Sequence, residues 1–141
     1  MATVDGTPIW FELNATDPAA AQAFYEGVAD WRVAPSSMPE HGGYRIAEAD
    51  GRPVAGIRQT MPEAPGLPGW AVYLATRDVD ATAAQVVDLG GKVRFGPVDI
   101  PHVGRFAMVS DPQDVVFALM TPENSAVSRA FGPVPLGTEH T

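Results

Sequence analysis

Apolar and polar residues alternate along Ile9-Trp10-Phe11-Glu12-Leu13-Asn14. Ile9, Phe11 and Leu13 therefore share one face of a strand, and Trp10, Glu12 and Asn14 share the other. The period changes after Asp17-Pro18, where Ala20, Ala21, Phe24, Tyr25, Val28 and Trp31 recur at spacings of three and four. That pattern predicts an amphipathic helix with Asp17 as N-cap and Pro18 as first helical residue, ending near Asp30. Two short strands follow, Tyr44 to Ala49 and Pro53 to Gln59, joined by the tight-turn dipeptide Asp50-Gly51, and a further short strand is expected around Trp31 to Ala34.

The same order then returns. A strand is predicted over Ala71 to Thr76, a helix over Asp80 to Leu89 stopped by Gly90-Gly91, and strands over Val93 to Phe95, Arg105 to Val109 and Val115 to Met120, the last two joined at Asp111-Pro112. Sliding the chain against itself by 61 residues superposes Leu13 on Leu74, Asp17 on Asp78, Ala20 on Ala81, Ala23 on Ala84, His41 on His102, Gly43 on Gly104, Asp50 on Asp111 and Val54 on Val115. Helix caps, hairpin acids and strand cores fall in step.

The expected architecture is α+β: two tandem β-α-β-β-β modules sharing one strongly curved mixed sheet, with the helices outside and a concave pocket opposite them. Residues 1–141 are expected to make a single domain, with module one at about 7–60, a linker at 61–69, module two at about 70–121 and a tail at 122–141.

Composition narrows the chemistry. The chain has no cysteine, which excludes disulfide scaffolds, thiolate metal sites and cysteine nucleophiles, and only three histidines, His41, His102 and His140. A formal charge of −8 opposes binding to nucleic acid. No segment resembles a signal peptide or a bilayer span, so no membrane partner and a cytoplasmic location are expected. Fourteen glycines and fourteen prolines cluster at Pro35 to Gly43, Pro62 to Gly69, Gly96 to Gly104 and Gly132 to Gly137, which are expected as loops and tail. Val127, Phe131 and Leu136 make the tail a candidate to pack across a partner subunit.

This duplicated plan resembles the vicinal oxygen chelate superfamily, which includes glyoxalase I, extradiol dioxygenases and bleomycin-resistance proteins. The likeness rests on the starts "ELNATDPAAAQAFYEGVADW" and "WAVYLATRDVDATAAQVVDLGGKV" and the ending "GRFAMVSDPQDVVFALM", and it covers residues 7 to about 121. It implies a homodimer and, in metal-dependent members, one ligand on the first and last strand of each module. The equivalent positions here are Trp10, Ile57, Ala71 and Ala118, none of which offers the lone pair a divalent ion needs. No metal and no cofactor are therefore expected.

Strand alternation groups Trp10, Glu12 and Asn14 on one face, with Ala71, Tyr73 and Ala75 at the matching positions. The resemblance, whose ligand positions face the trough, implies that these residues line it, along with Ala55, Ile57 and Gln59 on one last strand and Val116, Ala118 and Met120 on the other. A carboxylate in such an apolar trough is a candidate general acid or base, so Glu12 leads, unless Arg45, Arg58 or Arg105 neutralises it. Tyr73 is a candidate hydrogen-bond donor, and Trp10 is either a stacking platform or a filler of the old metal site. Arg105 is a candidate clamp for a ligand anion, the alternative being an ion pair with Asp99 or Asp111. His102, on a Pro/Gly loop expected to reach over the trough, is a candidate proton shuttle.

The predicted ligand-binding set is thus Trp10, Glu12, Asn14, Ile57, Tyr73, His102, Ala118 and Met120, with Glu12, Tyr73 and Arg105 as its catalytic candidates. The favoured function is metal-independent binding of a small hydrophobic or aromatic metabolite or antibiotic. One alternative is a cofactor-free lyase, isomerase or cyclase using Glu12. The other is a metal enzyme whose ligands are out of the assigned register.

Overall fold

Asp17 and Asp78 start two helices by the same device. Each side chain accepts a hydrogen bond from the amide three residues on, that of Ala20 or Ala81, at 3.1 Å in both cases. This satisfies one of the amides that a helix start leaves without a backbone partner. In the computed structural model, which describes residues 5–35, 43–60 and 68–123, helix α1 spans Pro18–Ala29 and helix α2 spans Val79–Asp88. Asp30 closes α1 in the left-handed region at φ 58°. Past α2, the amides of Gly90 and Gly91 turn back onto the carbonyls of Val87 and Val86.

The strands are β1 (Pro8–Ala15), β2 (Arg32–Pro35), β3 (Arg45–Ala49), β4 (Arg52–Gln59), β5 (Gly69–Ala75), β6 (Lys92–Ile100), β7 (Gly104–Ser110) and β8 (Val116–Pro122). They form one mixed, curled sheet in the order β2-β3-β4-β1-β5-β8-β7-β6. Two tandem β-α-β-β-β units follow from that order, and in each the first and last strands run parallel: β1 with β4, and β5 with β8. The units meet where β1 and β5 pair antiparallel, so both belong to one chain.

Both helices cover the same face of the sheet. Ala21 and Tyr25 of α1 pack with Leu13, Ala47, Ala55 and Ile57, while Val79 and Val86 of α2 pack with Leu74, Val109 and Leu119. Full burial of side chains such as Ile57 and Val109, both 0% exposed, contributes about 1.5–3 kcal/mol each. The opposite, inner face carries a separate cluster that includes Tyr73, Phe106, Ala118 and Met120, flanked by Trp10, Phe95, Val98 and Met108.

Two expectations change here. The stretch from Gly96 onward is not a loop reaching over the sheet. β6 runs through it to Ile100, with register shifts on either side of Phe95, and only residues 101–103 turn back into β7. A proline at position 97 is tolerated because β6 is an edge strand.

The second change concerns the facing of β4. Glu12 pairs with Gly56 and Asn14 with Arg58, so the inner face of β4 carries Gly56 and Arg58, while Ala55 and Ile57 lie under α1. The cause lies upstream of the hairpin. Ile46 pairs with Gly56 and Met108 with Ala118, so the offset between modules is 62 from β3 and β7 onward, Gly56 matching Ala118, whereas β1 and β5 match at 61. His41 and the tail beyond residue 123 lie outside the described residues.

Candidate functional site

The inner face changes character at the seam between the modules. On the module-two side it is apolar and aromatic. Phe106 lies 6.1 Å from Tyr73 and 5.9 Å from Phe95 between ring centroids, and Met108 and Met120 lie alongside. At the seam itself, β1 and β5 place Trp10 opposite Tyr73 and Glu12 opposite Ala71, so one carboxyl group lies among rings and methyls.

Glu12 is 4% exposed and is the hub of a polar network. The Tyr73 hydroxyl donates to its Oε1 at 3.1 Å, and the Arg58 guanidinium approaches the same oxygen at 3.5 Å. The Tyr44 hydroxyl also donates to the carboxyl and itself accepts from Trp10 Nε1 at 2.8 Å. Burial pushes the Glu12 carboxyl above its ordinary value, because a charged carboxylate loses hydration there. The charge of Arg58 and the hydrogen bonds from Tyr44, Tyr73 and Arg58 oppose that shift without overcoming it. Burial, reinforced by the charge of Glu12, also holds the Tyr73 and Tyr44 phenols well above their ordinary value, so both remain donors.

The structure thus brings together Trp10, Glu12, Tyr73, Ala118 and Met120 on one face, with Asn14 half-buried further along β1. It does not bring in three of the predicted residues. Ile57 pairs with Leu13 and lies with it in the core beneath α1. Arg105 follows the opposite parity from Phe106 and ion-pairs with Asp80 of α2 at 2.9 Å and with Asp99 at 3.2 Å. His102 is exposed in the turn between β6 and β7, at φ 66°, beyond the row that holds Ala118 and Met108. Gln59 likewise turns away, donating to the Thr16 carbonyl at 2.8 Å.

Of the arginines considered as partners for Glu12, Arg58 is the one that pairs with it, while Arg45 bonds Gln22 of α1. Two contributors escaped the sequence analysis, Tyr44 as a donor and Arg58 as an inner-face residue. An available signal was Gly56, since glycine inside a strand marks a place where another group comes close.

The superfamily likeness raises the question of a metal. The inner-facing candidates for its ligands are Trp10, Ala71 and Ala118, with Gly56 and Arg58 on β4. An indole, two methyls, a glycine and a guanidinium cation do not form a donor set for a divalent ion. Glu12 brings a single carboxyl already held by three donors, and among the described residues no three His, Cys, Asp or Glu side chains cluster as a metal site would require. The residues present do not fit a chelated metal.

The paired β-α-β-β-β units and their shared curled sheet place the protein in the vicinal oxygen chelate superfamily. The model of the glyoxalase-like domain family matches residues 10–120, and the chain belongs to that family. Among curated proteins, it is 42% identical over 118 residues to CFP32 of Mycobacterium tuberculosis, which carries a provisional glyoxylase name; the match covers 83% of this chain and 44% of that protein. It is 35% identical over 127 residues to the anthracycline biosynthesis protein DauV of Streptomyces sp. strain C5, covering 81% of this chain and 46% of the relative. The chain therefore spans less than half the length of the curated relatives it matches.

Among solved structures, a Streptomyces coelicolor methylmalonyl-CoA epimerase variant in complex with 2-nitronate-propionyl-CoA aligns with a TM-score of 0.57 at 22% identity. That alignment covers 89% of this chain and 99% of the other, and it shows a common fold. No helix among the described residues is long and apolar enough to cross a membrane.

Proposed function

We propose that the inner face binds a small, largely planar hydrophobic or aromatic molecule without a metal, the ligand lying against Phe106, Met108 and Met120 with one polar edge toward Glu12. The observation that carries this reading is the abrupt boundary on that face, an apolar and aromatic half ending on a buried carboxyl ringed by donors. Such a surface gains from burying apolar area and fixes orientation through a few polar contacts. The likeness to a protein named for anthracycline biosynthesis supports a polycyclic aromatic ligand class. Trp10, Ala71 and Ala118 at the ligand positions support a role that does not run through a metal.

A second reading is favoured by one observation, the burial of the Glu12 carboxyl in a mostly apolar site, which pushes its pKa above the ordinary value. On that reading Glu12 moves a proton on the bound molecule as a general acid or base, and Tyr73 steadies the oxygen that gains charge.

One experiment separates the two. The protein is titrated calorimetrically with a hydroxyanthraquinone, and the ligand recovered after long incubation is analysed by mass and chiral chromatography. Saturable binding with unchanged ligand supports the binder, conversion that Glu12→Gln abolishes supports the enzyme, and no binding by this class of molecule contradicts both.

A further inference from the structure

We propose that Gly56 is a positioning residue of this site. Its missing side chain leaves the space through which the Tyr44 phenol reaches the inner face and ties the Trp10 ring to the Glu12 carboxyl. The inference rests on the same face being the ligand site, and it adds how the aromatic platform and the carboxyl are held.

Gly56 lies in β4, an interior strand between β1 and β3, where glycine contributes no packing and loosens the strand. Its φ is not in the left-handed region, so backbone conformation does not call for glycine. The fold does not call for it either, because Ala118 of β8, paired with Tyr73 as Gly56 is paired with Glu12, carries a methyl group. The specific obstacle is Tyr44. A methyl on residue 56 would overlap the Tyr44 hydroxyl and its Cζ.

Ile46 pairs with Gly56, and Tyr44, two residues earlier, leans across the glycine from the same face. An indole N–H only donates, so the Tyr44 oxygen accepts from Trp10 and the single phenolic proton goes to Glu12. The bonds run one way, from Trp10 through Tyr44 to Glu12, and Tyr73 adds its own proton from the other side. Trp10 is held at a fixed angle at the edge of the site, and Glu12 is kept as the acceptor of both phenols. The groups that face Glu12 are then Tyr44 before β3, Arg58 of β4 and Tyr73 of β5.

Because the obstructing atoms are the far end of a side chain, Gly56→Ala can fold with Tyr44 expelled. The test is a cycle of Gly56→Ala, Tyr44→Ala and the double variant in the full chain without ligand. Nuclear magnetic resonance follows the Trp10 indole N–H and the pH titration of the Glu12 carboxyl carbon.

Gly56→Ala is expected to move the indole resonance and the Glu12 midpoint to the positions found in Tyr44→Ala, and the double variant to match Tyr44→Ala alone. Wild-type values in Gly56→Ala, or a full additional shift in the double variant, would overturn the proposal. Should Gly56→Ala alone not fold, recovery of folding in the double variant supports it, and failure of the double variant too overturns it. Since no ligand is present, a failed ligand titration bears on the proposed function and leaves this test intact.

Discussion

Replacing Tyr73 by Phe deletes one hydroxyl and leaves the ring where it packs against Phe106. The lost bond is the 3.1 Å donation to Glu12 Oε1, in a place where neither residue is more than 4% exposed. A hydrogen bond to a charged group is worth about 1.5–3 kcal/mol and one between neutral groups about 0.5–1.5 kcal/mol. The variant is therefore expected to lose about 1 kcal/mol more when Glu12 is ionised than when it is protonated. That difference corresponds to a rise of roughly 0.7–1 pH unit in the Glu12 midpoint.

The sign of the pH dependence follows from the direction of the Glu12 shift. Burial already places its folded midpoint above the unfolded one, so the folded state keeps the proton longer. The favourable contribution of the protonated group is fully present below the unfolded midpoint and is lost as pH rises through the folded midpoint. Tyr73→Phe raises that folded midpoint further, so the loss extends to higher pH and ends deeper. Urea denaturation of both proteins at pH values spanning the carboxyl range should show their stability gap widening as pH rises, with carbon NMR of Glu12 reading the midpoint directly. A gap of constant size, or a Glu12 midpoint that falls in the variant, would refute the network described here.

Ile57→Ala, at a position 0% exposed beneath α1, should cost about 2–5 kcal/mol of stability by denaturation while leaving the affinity of the folded protein for an inner-face ligand unchanged. A selective loss of affinity would return Ile57 to the site. Arg105→Ala breaks partly exposed pairs with Asp80 and Asp99, so calorimetry should show no change in ligand affinity and denaturation only a small loss of stability. A tenfold weakening of ligand binding would mean that Arg105 reaches the ligand. Asp78→Ala removes the α2 cap and should lower stability by about 1 kcal/mol, as should Asp17→Ala for α1.

The elements legible in the sequence were those set by local chemistry. Asp17-Pro18 and Asp78 mark helix starts wherever they occur, and the alternation in β1 alone assigned Trp10, Glu12 and Asn14 to one face. What was lost depended on contacts between distant strands. The facing of Ile57 depends on the register of β4 against β1, which differs by one residue from that of β8 against β5 because the two modules are already out of step where β3 and β7 begin. The strand nature of β6 depends on its place at the sheet edge, where Pro97 breaks no second ladder. Arg105 carries a charge that equally suits a ligand or a neighbour, and the proximity of Asp99 and of Asp80, 25 positions earlier, decides it. Tyr44 stayed hidden because its role comes from the gap at Gly56, and a glycine inside a strand marks that something comes close without saying which residue does.

The central claim is that the inner face, and not the aromatic group of Tyr25, Trp31 and Trp70 on the helix side, receives the small molecule. Chemical-shift mapping of the protein titrated with a hydroxyanthraquinone tests this most directly. The account predicts saturable shifts at the Trp10 indole and at the methyls of Ala71, Met108, Ala118 and Met120, with the Trp31 and Trp70 indoles unmoved. Shifts centred on Trp31 and Trp70, with Trp10 and the inner-face methyls silent, would contradict it.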